Sequence, residues 1–445
     1  MASIRKLIDR ARAEDGMSLI EVVVALMVFA VISLGVGYST ITILKMTEDT
    51  RSRQVATNLA SSEIDIARGV QDPFKVVNAT RTAAVSGVTY TIVRSTSWVE
   101  TSGADVACGT GTGTLQSKRV NITVTWTGML TTTQPVRSDT LISPDKRIND
   151  PSLGTIRISV LTVAGTGSSG VAVTVTPTSG GAALAAQPDS TDTDGCSFAL
   201  KVAPGTYSVI ITRTNSVDTT QATSPSKSVV VTAGGSVAAL FQYDYAATFN
   251  LAYATAGALL PADLDTTFLS TYGAYVSSGG AKTQALLHPV PSGYAGIAGK
   301  YIAPVAGNAG CINVDPAAWP EATVSGVAYA AGVRTPNVAA APKGSANMPI
   351  PMGVMTVKFT SQAYLFAEST AGPAGSFDPG CAAAPKYSFG RILINGTSTI
   401  ALPYGSWTLY SGSNADGSGK TPLSAANLGL VGAGTVVTLD PRQPK

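Results

Sequence analysis

One carboxylate in this chain stands where a carboxylate is costly. Glu21 is the lone charge between Met17 and Lys45, inside an otherwise apolar run. An ionised group in a helix of that kind costs on the order of 2 to 4 kcal/mol on insertion-type scales, so it calls for a counter-charge. Elsewhere the groups that do chemistry are sparse. The single histidine, His288, precedes Pro289 and excludes any multi-histidine metal site. No serine sits in a G-x-S-x-G elbow, and the phosphate-loop pattern G-x-x-x-x-G-K-S/T is absent. Asp189, Asp192 and Asp194 with Gly195 have the spacing of part of a calcium loop, but no acidic ligand follows near Leu200. A turn is therefore expected there, with no metal and no cofactor, and the chain reads as a non-enzyme.

Four cysteines, Cys108, Cys196, Cys311 and Cys381, lie well beyond the apolar run and never in a C-x-x-C spacing. Two disulfides fit them better than a metal. Four cysteines allow three connectivities, of which Cys108 with Cys196 and Cys311 with Cys381 is the preferred one.

These groups must be positioned by a chain of 445 residues, long enough for about three domains at roughly 150 residues each. Charged residues make up only 13% and Thr, Ser, Gly, Ala and Val dominate, a composition of exported β-rich modules. The net charge of +3 is too small for a nucleic-acid footprint, so nucleic acid is not an expected partner. Arg5, Lys6, Arg10 and Arg12 precede the apolar run. Val22 to Leu44 then supplies 23 uncharged positions, enough to cross a bilayer as a helix. The basic flank keeps the N-terminal end cytoplasmic and sends the rest outward. No small-residue cleavage site closes the run, unlike an ordinary secretory signal. Beyond Lys45 the helix turns amphipathic, with Val55, Leu59, Ile64 and Ala67 on one side and Glu48, Asp49, Arg51, Arg53, Glu63, Asp65 and Arg68 on the rest; Asp72-Pro73 is expected to end it.

The residues Gly16-Met17-Ser18-Leu19-Ile20-Glu21, followed by Val22-Val23-Val24-Ala25-Leu26, resemble the processing site of a type IV prepilin. Many relatives have Phe where Met17 stands. The resemblance implies cleavage between Gly16 and Met17 by a prepilin peptidase, N-methylation of Met17, and pairing of Glu21 with the N-terminal amine of a neighbouring subunit. It also implies the partners: the peptidase, the cytoplasmic membrane before assembly, and other pilin subunits through the helix.

Downstream, strands are expected at Val88–Ser95 and Arg119–Trp126, where Val120 to Trp126 alternates apolar and polar with period two. A second module has expected strands at Ile156–Val160, Val171–Val175, Phe198–Val202 and Tyr207–Thr212. Its Asp192-Thr193-Asp194-Gly195 and Ala203-Pro204-Gly205-Thr206-Tyr207 turns resemble the carboxypeptidase-regulatory or transthyretin-like β-sandwich. Pro403-Tyr404-Gly405-Ser406-Trp407 repeats the second turn. The stretch Ala303–Ala341 has little periodicity, and its strands are not placed.

The fold expected is α+β: a long N-terminal transmembrane and amphipathic helix, a pilin-like antiparallel β head, and tandem all-β sandwiches. The divisions are a leader over 1–16, the helix over 17–70 with 17–44 in the membrane, the head over 71–150, a transthyretin-like sandwich over 151–246, and one or two β domains over 247–445 with 339–351 as a candidate seam. The function expected is that of a minor pilin or pilin-like subunit at the cytoplasmic membrane and then on a pilus or cell surface. Two alternatives stand beside it: an adhesin on a filament stalk, with a surface or glycan ligand, and a secretion-system pseudopilin. Asp440 to Lys445 carries no sorting motif, apolar span or basic tail, which speaks against a sortase-built pilus.

Overall fold

The computed structural model describes residues 18–70, 72–101, 105–106, 108, 115–144, 150–393, 396–430 and 434–444. Its α+β architecture begins with helix α1, Leu19–Gly69, about 77 Å long at 1.5 Å per residue. Ser18 caps the first turn, its hydroxyl accepting from the Glu21 amide at 3.3 Å. The Asp72-Pro73 pair is not what stops the helix. α1 already ends at Gly69, and Asp72 starts a 3₁₀ turn, Pro73–Lys75, by accepting from the Phe74 amide at 3.0 Å.

The chain forms two compact units. In the first, α1 lies on an antiparallel sheet of β1 (Ala79–Val85), β2 (Val88–Glu100), β4 (Leu115–Trp126) and β5 (Val136–Ile142), in that order, with β3 (Asp105–Val106) added at the far end of β2. The alternation in β4 points Val120, Ile122, Val124 and Trp126 inward, with Tyr90 and Ile92 from β2 beside them. Against them the helix sets Ala56, Ala60, Ile64 and Ala67. Ile64 and Ala67 are buried as expected, but the first half of the stripe is displaced by one residue: Val55 and Leu59 are only half-buried, while Ala56 and Ala60 let the helix backbone come close to the sheet. Strands β1 and β5 gave little sequence signal because both are sheet edges with mixed polar faces, as their half-exposed burial patterns show.

The second unit opens with a β-sandwich of seven strands. One sheet has the order β10 (Ser216–Asp218), β12 (Ser236–Tyr245), β6 (Gly154–Leu161), β8 (Cys196–Val202); the other has β11 (Ser226–Val231), β9 (Gly205–Thr212), β7 (Ala172–Ser179). First and last strands, β6 and β12, run parallel, and the remaining pairs are antiparallel. Ile156, Ile158 and Val160 from one sheet meet Val173, Val175, Val209 and Ile211 from the other in the core. At the β9 corner Gly205 has φ +151°, and a Cβ there would strike the Gly181 backbone. Two residues on, the buried Tyr207 hydroxyl donates back to the Ala203 carbonyl at 2.9 Å.

From Ala247 onward one large hydrophobic core runs to Leu439, with a smaller cluster of Ile297, Cys311 and Val314 apart from it. Ala247–Tyr253 lies between Gln284–Leu287, antiparallel, and Ser345–Ile350, parallel. The stretch 339–351 therefore carries a core strand, with Met348 and Ile350 fully buried. A second layer is built from Lys386–Ile392, Ala363–Ser369 and Gly405–Gly412 with Val436–Leu439. Here the repeated turn is visible in three dimensions. Gly405 has φ +132°, and the buried Trp407 Nε1 donates to the Pro403 carbonyl at 2.9 Å, four residues back, as Tyr207 does to Ala203.

Candidate assembly interface

The N-terminal half of α1 has nothing of the described protein around it. Leu19, Phe29, Leu34 and Tyr38 are 68 to 85% exposed, and the helix is long and apolar enough to cross a bilayer. Three of its hydroxyls turn back on the helix. Ser39, Thr40 and Thr42 donate to the carbonyls of Gly35, Val36 and Tyr38 at 2.9, 2.8 and 2.9 Å. Such internal satisfaction is what an apolar surrounding requires. Glu21 is exposed in the first turn, and among the described residues no group bonds its carboxylate. Ser18 and Glu21 also have the Ser-x-x-Glu spacing of a capping box, a second role for Glu21 that reading the residues as a processing site passes over. Gly16 and Met17 lie outside the described residues.

The lower half of α1 is bolted to the head by charge. Glu63, placed by the sequence reading among solvated charges, is instead 3% exposed. Its two oxygens meet Arg81 Nε at 2.5 Å and Arg94 Nη1 at 3.1 Å, and Arg94 Nε also donates to the Val77 carbonyl at 2.9 Å. The carboxylate falls on the sheet-facing side because Glu63 is three residues after Ala60 and one before Ile64. At the other end Asp49 accepts from Trp126 Nε1 at 3.2 Å and Thr133 Oγ1 at 2.6 Å. Arg68 Nη2 donates to Thr140 Oγ1 at 2.6 Å. Ionic contacts thus fix helix register and apolar contacts supply the area.

The structure pairs Cys108 with Cys196 and Cys311 with Cys381. The bridged residues are 88 and 70 positions apart, so in the loop-entropy model each bond stabilises by about 4 to 5 kcal/mol. The acidic triplet forms a turn. Asp192 Oδ1 accepts from the amides of Asp194 at 2.9 Å and Cys196 at 2.8 Å, and Gly195 has φ +75°. All four tryptophans are packed inside, at 6% exposure or less, which leaves none as a sugar platform. Lys420, in Gly419-Lys420-Thr421, pairs with Glu368 at 2.8 Å.

His288, in the loop after the strand Gln284–Leu287, has no exposed surface. Its Nδ1 meets the Val217 carbonyl at 3.2 Å, its amide donates to Gln221 Oε1 at 2.7 Å, and its carbonyl accepts from Tyr294 Oη at 2.8 Å. Nε2 is buried without a partner. Burial holds the imidazole below its ordinary pKa, against smaller raising effects of the Val217 carbonyl, Asp244 and Asp218. Burial likewise pushes Tyr294 up to about 12. Since folded His288 binds a proton less readily than unfolded, its contribution to stability is complete above about pH 6.5 and declines as the pH falls below that value. Amide exchange around Val217 and His288, corrected for intrinsic rate, is expected to speed up on acidification below about pH 6.5, and His288→Asn is expected to lose that dependence.

Next to this contact a cleft of about 740 Å³ opens over Thr212, Arg213, Thr214, Asn215, Thr223 and Ser224. Arg213 is committed within the protein, donating to Ser216 Oγ at 2.9 Å and the Ser169 carbonyl at 2.8 Å and stacking 3.8 Å from the Tyr245 ring.

No family model matches the chain, and no curated protein matches it. Among solved structures it is similar to the Bacillus anthracis TIE protein at 12% identity and a TM-score of 0.19, over 78% of this chain and 70% of that one. It is similar to BcpA, the major pilin subunit of Bacillus cereus, at 12% identity and a TM-score of 0.17, over 62% of this chain and 96% of that one. The Streptococcal ancillary pilin gives 10% identity and a TM-score of 0.19, over 54% and 80%. Likenesses at these TM-scores do not establish a shared fold.

Proposed function

We propose that the chain is a type IV pilin-like structural subunit that is cut between Gly16 and Met17, methylated at Met17, and assembled through α1 with Glu21 facing the new amine of a neighbouring molecule. The observation that carries this reading is the exposed, mainly apolar first half of α1 with a single carboxylate in its first turn. A bilayer first, and then the apolar helices of other subunits, would cover that surface. The head's grip on the second half of α1 supports the same reading, because pulling on such a helix moves the head with it. The seven-stranded sandwich, read as a carboxypeptidase-regulatory or transthyretin-like module, and the region after it are cargo displayed outside. Their size, far larger than the head, suits a minor subunit, since every position of a thin fibre could not carry them. The chain performs no catalysis in this account.

The cleft over Thr212 and Thr214, lined by hydroxyls together with apolar side chains, favours a second reading, an adhesin whose displayed modules hold a surface or glycan. The assembly reading is tested by fractionation. In cells with an active prepilin peptidase the chain is expected shortened in sheared filaments, and in peptidase-deficient cells at full length in the cytoplasmic membrane. Uncleaved chain in cells with active peptidase would refute it.

A further inference from the structure

The head has one end that differs from the rest in chemistry. The hairpin tip and loop at residues 83–89 and 127–135 contain no charged residue. They present half-exposed Val85, Val88, Met129 and Leu130 among the hydroxyls of Thr127, Thr131 and Thr132. Both segments sit at the same end of the sheet, because Tyr90 pairs with Trp126 across β2 and β4. That end is fixed against the start of the charged half of α1. Asp49 holds Trp126 and Thr133, and Arg53 Nη1 donates to the Gln134 carbonyl at 3.4 Å. A small cleft of about 220 Å³ has Lys45, Glu48 and Asp49 on one side and Val88, Trp126 and Leu130 on the other.

The helix supplies the scale. Lys45 is the first charged residue after the apolar run, and Asp49 lies five residues past Leu44, about 7.5 Å along the axis at 1.5 Å per residue. The polar layer on each side of a bilayer's hydrocarbon core is roughly 5 to 7 Å deep. With residues 22–44 spanning the core, Lys45 and Glu48 fall within that layer and Asp49 at its outer edge, so the rim residues Val88 and Leu130 that line the cleft beside them face the outer part of the layer. We propose that this rim is a membrane-contact surface, with Met129, Leu130 and Val88 seated in the headgroup region of the bilayer while the subunit awaits assembly. The inference rests on the reading of α1 as membrane-spanning.

A mixed apolar and hydroxyl surface without charge suits the headgroup boundary, where ester groups and water meet acyl chains. At this level Lys45 stands beside Glu48 and Asp49, with Arg51 and Arg53 further out along the helix, a mixed set of charges that does not demand anionic lipid. The seat would hold the head upright on the membrane, so that α1 leaves the bilayer with its register to neighbouring subunits already restricted.

The test uses the full chain in phosphatidylcholine vesicles. Leu130→Cys, Ser143→Cys and Tyr38→Cys each carry an environment-sensitive fluorophore, the four native cysteines being held in disulfides. Ser143 marks the far end of the head, since Arg68 holds Thr140 there, 19 residues beyond Asp49 on α1 and so about 28 Å further out. Nitroxide lipids, labelled on the headgroup or the acyl chain, serve as quenchers. The expected result is acyl-chain quenching at position 38 and headgroup quenching at position 130 several-fold stronger than at 143. Quenching at 38 with equal, weak quenching at 130 and 143 overturns the seat and leaves the spanning helix intact. No quenching at 38 overturns both together.

Discussion

Replacing Glu21 by alanine is expected to remove the chain from filaments, lowering incorporation by between about thirtyfold and several hundredfold. That range converts the roughly 2 to 4 kcal/mol cost of a lone charge in an apolar helix bundle at 1.4 kcal/mol per tenfold. The wild-type carboxylate and the methylated amine of a neighbour compensate each other; alanine leaves the amine buried alone, and breaking one partner of such a pair is the damaging change. Glu21 also stands three residues after its helix cap, and the two roles separate by mutation. Ser18→Ala removes the hydroxyl that accepts from the Glu21 amide, at about 1 kcal/mol of helix stability, and is expected to assemble nearly normally. Glu21→Gln keeps side-chain size and hydrogen-bonding capacity without charge, and is expected to fail as alanine does. Immunoblots of sheared filaments against whole cells give the ratios. Equal, mild effects of Ser18→Ala and Glu21→Gln would reduce Glu21 to a cap.

The second large effect is expected at Glu63. Its side chain is 4% exposed between Arg81 and Arg94, whose side chains are 41 and 14% exposed. Glu63→Ala leaves Arg94, itself mostly buried, with the Val77 carbonyl and an empty space, and a loss of about 3 to 5 kcal/mol of head stability is expected. Arg81 alone would reach water and soften the loss, so Arg81→Ala is expected to cost far less, about 1 kcal/mol or under. The order of the two variants, read by urea unfolding followed with head-specific hydrogen exchange, checks the geometry. A milder Glu63→Ala than Arg81→Ala would contradict it. Because α1 carries both the head contact and the assembly surface, the Glu63 variant is also expected to release the helix to proteolysis beyond Lys45.

What the residues gave away divides along physical lines. The apolar run, the Val120 to Trp126 alternation and the Asp192 to Gly195 bend are local patterns, set by period or by a side chain bonding its own backbone, and the structure forms a helix, an inward-facing strand and a turn there. Glu63 was misread because a charge at helical spacing is usually solvated, and only the distant Arg81 and Arg94 make its burial tolerable. The alanines at 56 and 60 looked less core-like than Val55 and Leu59, yet close approach favours the smaller side chain. His288 lies in a loop, and its burial there is not visible in the sequence because its neighbours in space, Val217 and Gln221, lie some 70 residues earlier. The same distance hid the last region. Ala247–Tyr253 pairs with Ser345–Ile350, and the stretch after Ala303 holds a short hairpin, Ala322–Val324 with Val327–Tyr329, and is tied to its surroundings by the isolated bridges Ile302 to Cys311 and Tyr294 to Val338. Non-local pairing of this kind leaves little trace in a window of neighbours.

The turn at Gly205 and its copy at Gly405 show the converse case, in which a short motif carried its geometry with it. Each has a glycine at positive φ and a buried aromatic donor bonded four residues back. In the proposed account these corners belong to the displayed modules, and the assembly function rests on α1 alone.

The first residue of the mature chain tests that account most directly. Mass spectrometry of the protein purified from cells with an active prepilin peptidase is expected to find an N-terminal peptide beginning with N-methylated Met17. A chain that retains Met1, or one that begins beyond Leu44 with the apolar run removed, would contradict it.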